Sequence, residues 1–237
     1  VISWNFLIEG YLQQGHEEQV LNCFRQMRHK CVPPDAFSFL CVLKACIGIG
    51  ALDSGRRIHA EISGKVVNNL IRNTIISMYA KYGAIAMALQ LFNQLPSRDV
   101  VSWTSLISGY MHIGKEDIVA DLLNQMVVED GILPNTLTFT ILLKTCSHSG
   151  ELDKGQMYFR SMKTIYRIVP TFEHYTCMVD LFARAGQFEK AMDVIERMPM
   201  ADFLPVWSSL YGACQQWGTV KDGPMAFEGD SASYVYV

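Results

Sequence analysis

Glycine returns along this chain at a nearly regular interval, and that interval limits the fold more than any other feature. Gly15, Gly50, Gly83, Gly114, Gly150, Gly186 and Gly218 are separated by 35, 33, 31, 36, 36 and 32 residues. The text between them echoes as well. "VISWN" at residue 1 answers "VVSWT" at residue 100, and "LIEGYLQQG" answers "LISGYMHIG". A period in this range belongs to arrays, in which each copy is one supersecondary unit that buries its apolar face only against its neighbours.

Each copy reads as two helices. Before the glycine stands an apolar stripe at spacings of three and four: Trp4, Leu7, Ile8 and Tyr11; Ile75, Ile76 and Tyr79; Trp103, Ile107 and Tyr110. After it stands a second: Val20, Phe24 and Met27; Ala88, Phe92 and Leu95; Val119, Leu123 and Met126; Ala191, Ile195 and Met198. The glycine suits the left-handed residue that ends a helix. Pro34, Pro96, Pro134, Pro170 and Pro199 fall where the chain leaves the second helix. The expected fold is all-α, a right-handed α-solenoid of helix-turn-helix repeats. Its units are expected at 1–35, 36–68, 69–99, 100–135, 136–171 and 172–203. Residues 204–237 read as a degenerate or truncated helical extension, because Pro224 interrupts the second helix and "EGDSASYVYV" matches nothing earlier.

Bulk properties exclude some classes. The net charge is −3, so no overall basic character marks a nucleic-acid binder. No apolar run approaches the roughly 18 residues of a membrane span. We read the sequence as soluble and as starting inside a longer protein, with any targeting segment outside it. No C-x-x-C occurs among the seven cysteines, so neither a zinc nor a redox pair has local support.

The copies alternate in type. Units one and four carry "SW" and "GY"; units two and five carry "LKAC" or "LKTC" followed by "GALDSG" or "GELDKG"; unit three carries "NTIISMYAKYG" and "LFNQLPSRD". This resembles the plant pentatricopeptide repeat family, in the subclass that rotates ordinary, long and short repeats. "HYTCMVDLFARAG" and "VWSSLYGAC" resemble that subclass's last short repeat and its extension motif. The resemblance implies binding of single-stranded RNA at one base per repeat, in plastids or mitochondria, often to mark a cytidine for editing to uridine. It also implies that the catalytic deaminase-like domain would follow the extension, and the chain stops before it. The expectation is a binding module with no cofactor and no metal, served by a deaminase or accessory protein in trans. Neither DNA nor a membrane is an expected partner.

The resemblance points to particular residues. The fifth residues of the units are Asn5, Leu40, Asn73, Thr104, Thr140 and Thr176. The last residues of ordinary and short units are Asp35, Asp99, Asn135 and Phe203. Asn5 with Asp35, and Asn73 with Asp99, resemble uridine readers; Thr104 with Asn135 resembles an adenosine reader. Ile2, Leu70 and Val101, the second residues, would cover base faces. Glu173 and Phe203 depart from the pattern, and Leu40 cannot bond a base edge. A parallel RNA would read roughly U-n-U-A-n-n. Lys44, Lys81, Lys144 and Arg184 stand where they could meet phosphates or remain ordinary solvated surface. The polar residues have another use: Asp35, Asp99 and Asn135 precede helices, where such side chains cap free N–H groups.

His59-Ala60-Glu61 has the H-x-E of a zinc deaminase but lacks the downstream P-C-x-x-C. We read His59 as a packing or surface residue, and His174 as needing no catalytic role. Two other functions remain open at the level of sequence: a helical scaffold that binds protein in the same groove, and a truncated gene copy without function.

Overall fold

The computed structural model describes residues 1–63 and 68–198. Among these residues there are twelve α-helices and no strand: α1 Ile2–Gln13, α2 Glu17–His29, α3 Ala36–Ile49, α4 Leu52–Ile62, α5 Asn69–Lys81, α6 Ile85–Asn93, α7 Val100–His112, α8 Glu116–Asn124, α9 Thr136–Ser149, α10 Leu152–Thr164, α11 Phe172–Arg184 and α12 Phe188–Glu196. The chain divides into two compact units, 1–132 and 133–237. Within the first, α1, α3, α5 and α7 pack side by side in sequence, and α2, α4 and α6 each lie against the helix before and the helix after. Within the second, α9 packs on α10 and α11, and α11 packs on α12. Stacked hairpins of this kind are the architecture of an α-solenoid.

Local chemistry explains the helix boundaries. Gly15, Gly50, Gly83, Gly114, Gly150 and Gly186 all have φ between 67 and 74°, a region open to glycine without strain. In the long helices α3 and α9 the glycine is itself the C-cap, whereas the C-cap of α1 is Gln14, one residue before its glycine. First helices after α1 start on side-chain caps, whereas α2, α4, α6, α8, α10 and α12 have none. Asp35 accepts the Ser38 N–H at 2.9 Å, Asp99 the Ser102 N–H at 2.8 Å and Asn135 the Thr138 N–H at 2.9 Å. Ser38, Ser102 and Thr138 each accept the cap's own N–H in return, which completes a capping box. Asn68 caps α5 with a single bond, accepting the Ile71 N–H at 3.0 Å.

Most expected stripes face the core, but Tyr110 is only half-buried, and three further corrections follow. Ile75, Ile76, Tyr79, Val20, Phe24, Met27, Ala191, Ile195 and Met198 are buried. In the fourth second helix, however, Leu122 is buried and Leu123 only half-buried, so the stripe is Val119, Leu122 and Met126, again at spacings of three and four. Met126 is fully buried and lies in a π-helical turn, Gln125–Glu129, that follows α8. Leu95 lies beyond the end of α6 and is half-buried. Of the first stripe only Ile8 is buried, since α1 packs against α2 and α3 alone among the described helices.

The "LDSG" and "LDKG" motifs have a packing cause. A Cβ on Gly55 would stand 2.1 Å from Met78 Sδ, and one on Gly155 would stand 2.3 Å from Leu181 Cδ2. These glycines let α4 approach α5 and α10 approach α11. The chain's return after α8 is pinned by Asp130, which accepts the Trp103 indole N–H at 2.8 Å and pairs with Arg98 at 3.3 Å. Arg98 in turn covers Phe92, whose ring meets Trp103 edge-on at 4.7 Å. Phe203, Gly218, Cys214 and the expected extension at 204–237 lie outside the described residues, as do Pro199 and Pro224.

Candidate nucleic-acid interface

The same aspartates that cap first helices also hold the asparagine of the preceding hairpin. Asn5 Nδ2 donates to both carboxylate oxygens of Asp35, at 3.1 and 2.9 Å. Asn73 Nδ2 donates to both oxygens of Asp99, at 3.0 Å each. Residues 30 and 26 positions apart in sequence thus form equivalent amide–carboxylate pairs in the first unit. The contact has a direction: the carboxylate only accepts, so it fixes which end of the amide faces it.

The two pairs differ in their surroundings. The Ser38 hydroxyl donates to Asn5 Oδ1 at 2.6 Å. Ser102, at the equivalent place, turns its hydroxyl to the Asp99 carbonyl at 2.8 Å. Asn73 Oδ1 is left buried without a hydrogen-bond partner, and the residue as a whole is 4% exposed. Burial opposes ionisation of Asp35, but the bonds from the Ser38 N–H and hydroxyl and from Asn5 outweigh it and hold the carboxyl below the usual carboxylate range.

Beside the first pair lies a cavity of about 220 Å³ lined by Ile2, Asn5, Phe6, Glu9 and Phe37. Ile2 is 74% exposed, and Phe6 and Phe37 are exposed too. Leu70 and Val101 show apolar surface at the matching place on α5 and α7. A flat heterocycle entering this cavity would find aliphatic and aromatic walls, the Asn5 amide that Asp35 holds, and the Glu9 carboxylate. Phe37 and Phe6 were missed from sequence. Phe37 is the second residue of its own unit, as Ile2 is of the first, so positional equivalence was signal enough to find it.

The threonines behave differently. The Thr104 hydroxyl donates to the Val100 carbonyl, Thr140 to the Thr136 carbonyl at 3.2 Å and Thr176 to the Phe172 carbonyl at 2.9 Å. All three bond the residue four back on their own helix. Thr104 belongs to the first compact unit and Asn135 to the second. Asn135 caps α9 from the N-terminal side. Thr140 also meets the Nε2 of His174 at 3.2 Å. That imidazole is fully buried. Its Nδ1 accepts the Thr171 N–H at 3.0 Å, so the proton sits on Nε2, which donates to the Thr136 carbonyl at 2.9 Å. Burial pulls its pKa below the ordinary histidine value. His174 ties α11 to α9 and has no free nitrogen for acid–base work.

The basic candidates divide. Lys44 and Lys144 are exposed on α3 and α9. Lys81 donates to the Ile47 carbonyl at 3.2 Å, and Arg184 pairs with Asp180 at 2.9 Å. His59 packs edge-on against Tyr79 and shares a hydrogen bond of 3.0 Å with its hydroxyl. Cys46 and Cys177 are buried, and burial pushes both thiols up to about 11. Among the described residues no group of three or more His, Cys, Asp or Glu could hold a metal ion.

Comparison with known proteins agrees with the repeat architecture. Residues 1–48 and 98–148 match the PPR repeat family, and residues 71–100, 137–165 and 173–203 match the PPR repeat. The chain belongs to the pentatricopeptide repeat family. A pentatricopeptide repeat-containing protein of Arabidopsis thaliana is 38% identical over 223 residues, covering 93% of this chain and 44% of its own length. Another from the same plant, named chloroplastic, is 39% identical over 227 residues, covering 94% of this chain and 30% of its own. A third, named mitochondrial, is 40% identical over 229 residues, covering 96% and 37%. The chain therefore spans less than half the length of these relatives. The crystal structure of PPR10 in complex with an 18-nt psaJ RNA element superposes with a TM-score of 0.66 at 20% identity, over 96% of this chain and 34% of that one. At that identity the likeness speaks for the fold.

Proposed function

We propose that this chain is a sequence-selective module for single-stranded RNA, and that it selects sites for organellar C-to-U editing or related RNA processing. The observation that carries the reading is the pair of amide–carboxylate contacts, Asn5 with Asp35 and Asn73 with Asp99, the first opening on an apolar cavity. Uracil presents one N–H donor between two carbonyl acceptors. A carboxylate beside an amide N–H meets that edge. Cytosine, with a lone pair in place of the N–H, would face the carboxylate with like charge. Stacking between Ile2 and Phe37 accepts any base, and alanine substitution at such platforms typically costs about 1–3 kcal/mol per base. Hence the walls supply affinity and the Asn–Asp edge supplies choice.

Thr176 contributes at the sixth unit in this proposal. The six repeat units keep the boundaries given above, with an extension at 204–237. Relatives named chloroplastic and mitochondrial support an organellar setting. The chemistry of editing then comes from a deaminase outside this chain. A few readable units specify only a short, common word, so the full target requires further repeats in the longer protein.

The test is fluorescence anisotropy with U-n-U-A RNA against scrambled and cytidine-substituted versions. Replacing Asn73 with Thr should move preference at its base from uridine toward a purine. Equal affinity for every sequence would reject selective readout.

A further inference from the structure

A second recognition surface lies on the other helices of the first two hairpins. Between α2 and α4, over Val42 of α3, runs a groove of about 710 Å³ lined by Leu21, Phe24, Arg25, Arg28, Ser54, Arg57, Ile58 and Glu61. A further depression of about 360 Å³, formed by Arg25, Arg28 and His29, adjoins it. The readers Asn5 and Asp35 are not among these residues.

The arginines are oriented but not all neutralised. Arg25 donates to Asn22 Oδ1 at 2.6 Å and to the Leu21 carbonyl, and Arg57 donates to the Ser54 hydroxyl at 3.0 Å. Asn, Ser and a backbone carbonyl are neutral acceptors, so both guanidiniums keep their full charge. Arg28 alone has a counterion here, Glu61, at 3.2 Å across the groove. The remaining floor is apolar: Val42, Phe24 and Ile58 are buried beneath the charges. In a chain of net charge −3, two uncompensated guanidiniums facing one trough concentrate positive potential on one face.

We propose that this groove docks an acidic segment of a partner protein, with its carboxylates on Arg25 and Arg57. This goes beyond the RNA reading and uses a different surface. Carboxylates suit the site because guanidinium forks can donate two parallel bonds to them, and one carboxylate, Glu61, is already paired with Arg28 there. Single-stranded RNA suits it less. Strand binding uses exposed aromatic platforms, and the one aromatic in the groove, Phe24, is 4% exposed. Glu61 competes with the incoming carboxylate for Arg28, so its charge works against the partner.

The experiment titrates the 237-residue chain with a short labelled peptide of Glu and Leu, against the same peptide with Gln for Glu, and against U-rich RNA. The Glu peptide should bind and weaken as salt rises. The R25E/R57E double variant should lose about tenfold or more in affinity, whereas E61Q should tighten binding. A helical circular-dichroism signal equal to that of the unchanged protein shows that each variant is folded, and R25K/R57K separates loss of charge from loss of the fork. The proposal falls if the folded R25E/R57E variant binds the Glu peptide unchanged, if E61Q weakens binding, or if the arginines govern RNA affinity and not peptide affinity.

Discussion

Residues 2–13 and 100–112 spell nearly the same helix, and the molecule uses them in different ways. Trp4 is half-buried, while Trp103 is 1% exposed and wedged against Phe92. Leu7 is 45% exposed and Leu106 is fully covered. A Cβ on Gly10 would meet nothing within 4 Å, but on Gly109 it would stand 2.6 Å from Ala80 Cβ and 3.0 Å from the Ala80 backbone. The difference is the neighbour: α7 has α5 alongside it and α6 behind, whereas α1 has α2 and α3. In an array the text of a helix states what it can bury, and stacking decides what it does bury.

The largest expected effect separates the two tryptophans. Trp103→Ala removes a buried ring and its bond to Asp130, at a cost of about 3–5 kcal/mol. Trp4→Ala should cost well under half of that. Urea melts of both variants measure the gap, and equal losses would break the comparison. The glycines come next. Gly109→Ala meets backbone that cannot move aside, so about 1–3 kcal/mol is lost. Gly10→Ala should instead gain about 0.5–1 kcal/mol, since alanine favours a helix and has open space there. Chemical denaturation of each reads the sign directly.

A third change tests recognition. Asn5→Thr gives the first copy the fifth residue of the fourth. Preference at its base should then move from uridine toward a purine, by about tenfold (roughly 1.4 kcal/mol) in anisotropy titrations. Unchanged preference would count against reading by that edge.

The smallest effect concerns pH. His174 is held neutral by burial, so its folded pKa lies below the unfolded value near 6.5. A lowered pKa on a base means that the unfolded chain binds the proton first. The contribution of His174 to stability is therefore complete above about pH 6.5 and is lost as the pH falls toward its folded value. Melting of the chain should show this decline, and His174→Gln should flatten that part of the profile.

Much of this was legible in the residues. The glycine interval and the paired stripes imply stacked hairpins. Asp35, Asp99 and Asn135 have the type and place of caps, and each of them does cap a helix. Family resemblance alone set Asp35 beside Asn5 and Asp99 beside Asn73, since nothing local says that Asn5 will reach a residue 30 positions away. Phe37 was overlooked although its position repeats that of Ile2. Spacing alone does not choose between Leu122 and Leu123, since each stands three or four residues from both Val119 and Met126. The pinning of Asp130 by Trp103 and Arg98 had no signal in the repeat, because those side chains meet only after the chain has turned back.

By itself the sequence determined the unit: two amphipathic helices, a left-handed glycine between them and a polar cap at each return. Those choices rest on backbone preference and local hydrogen bonds, which act over a few residues. Tertiary structure alone decided which copies seal their apolar face, which asparagine amide stays pinned to a carboxylate and which arginines keep an unneutralised charge. These depend on distances between residues far apart in the chain, and only packing sets such distances.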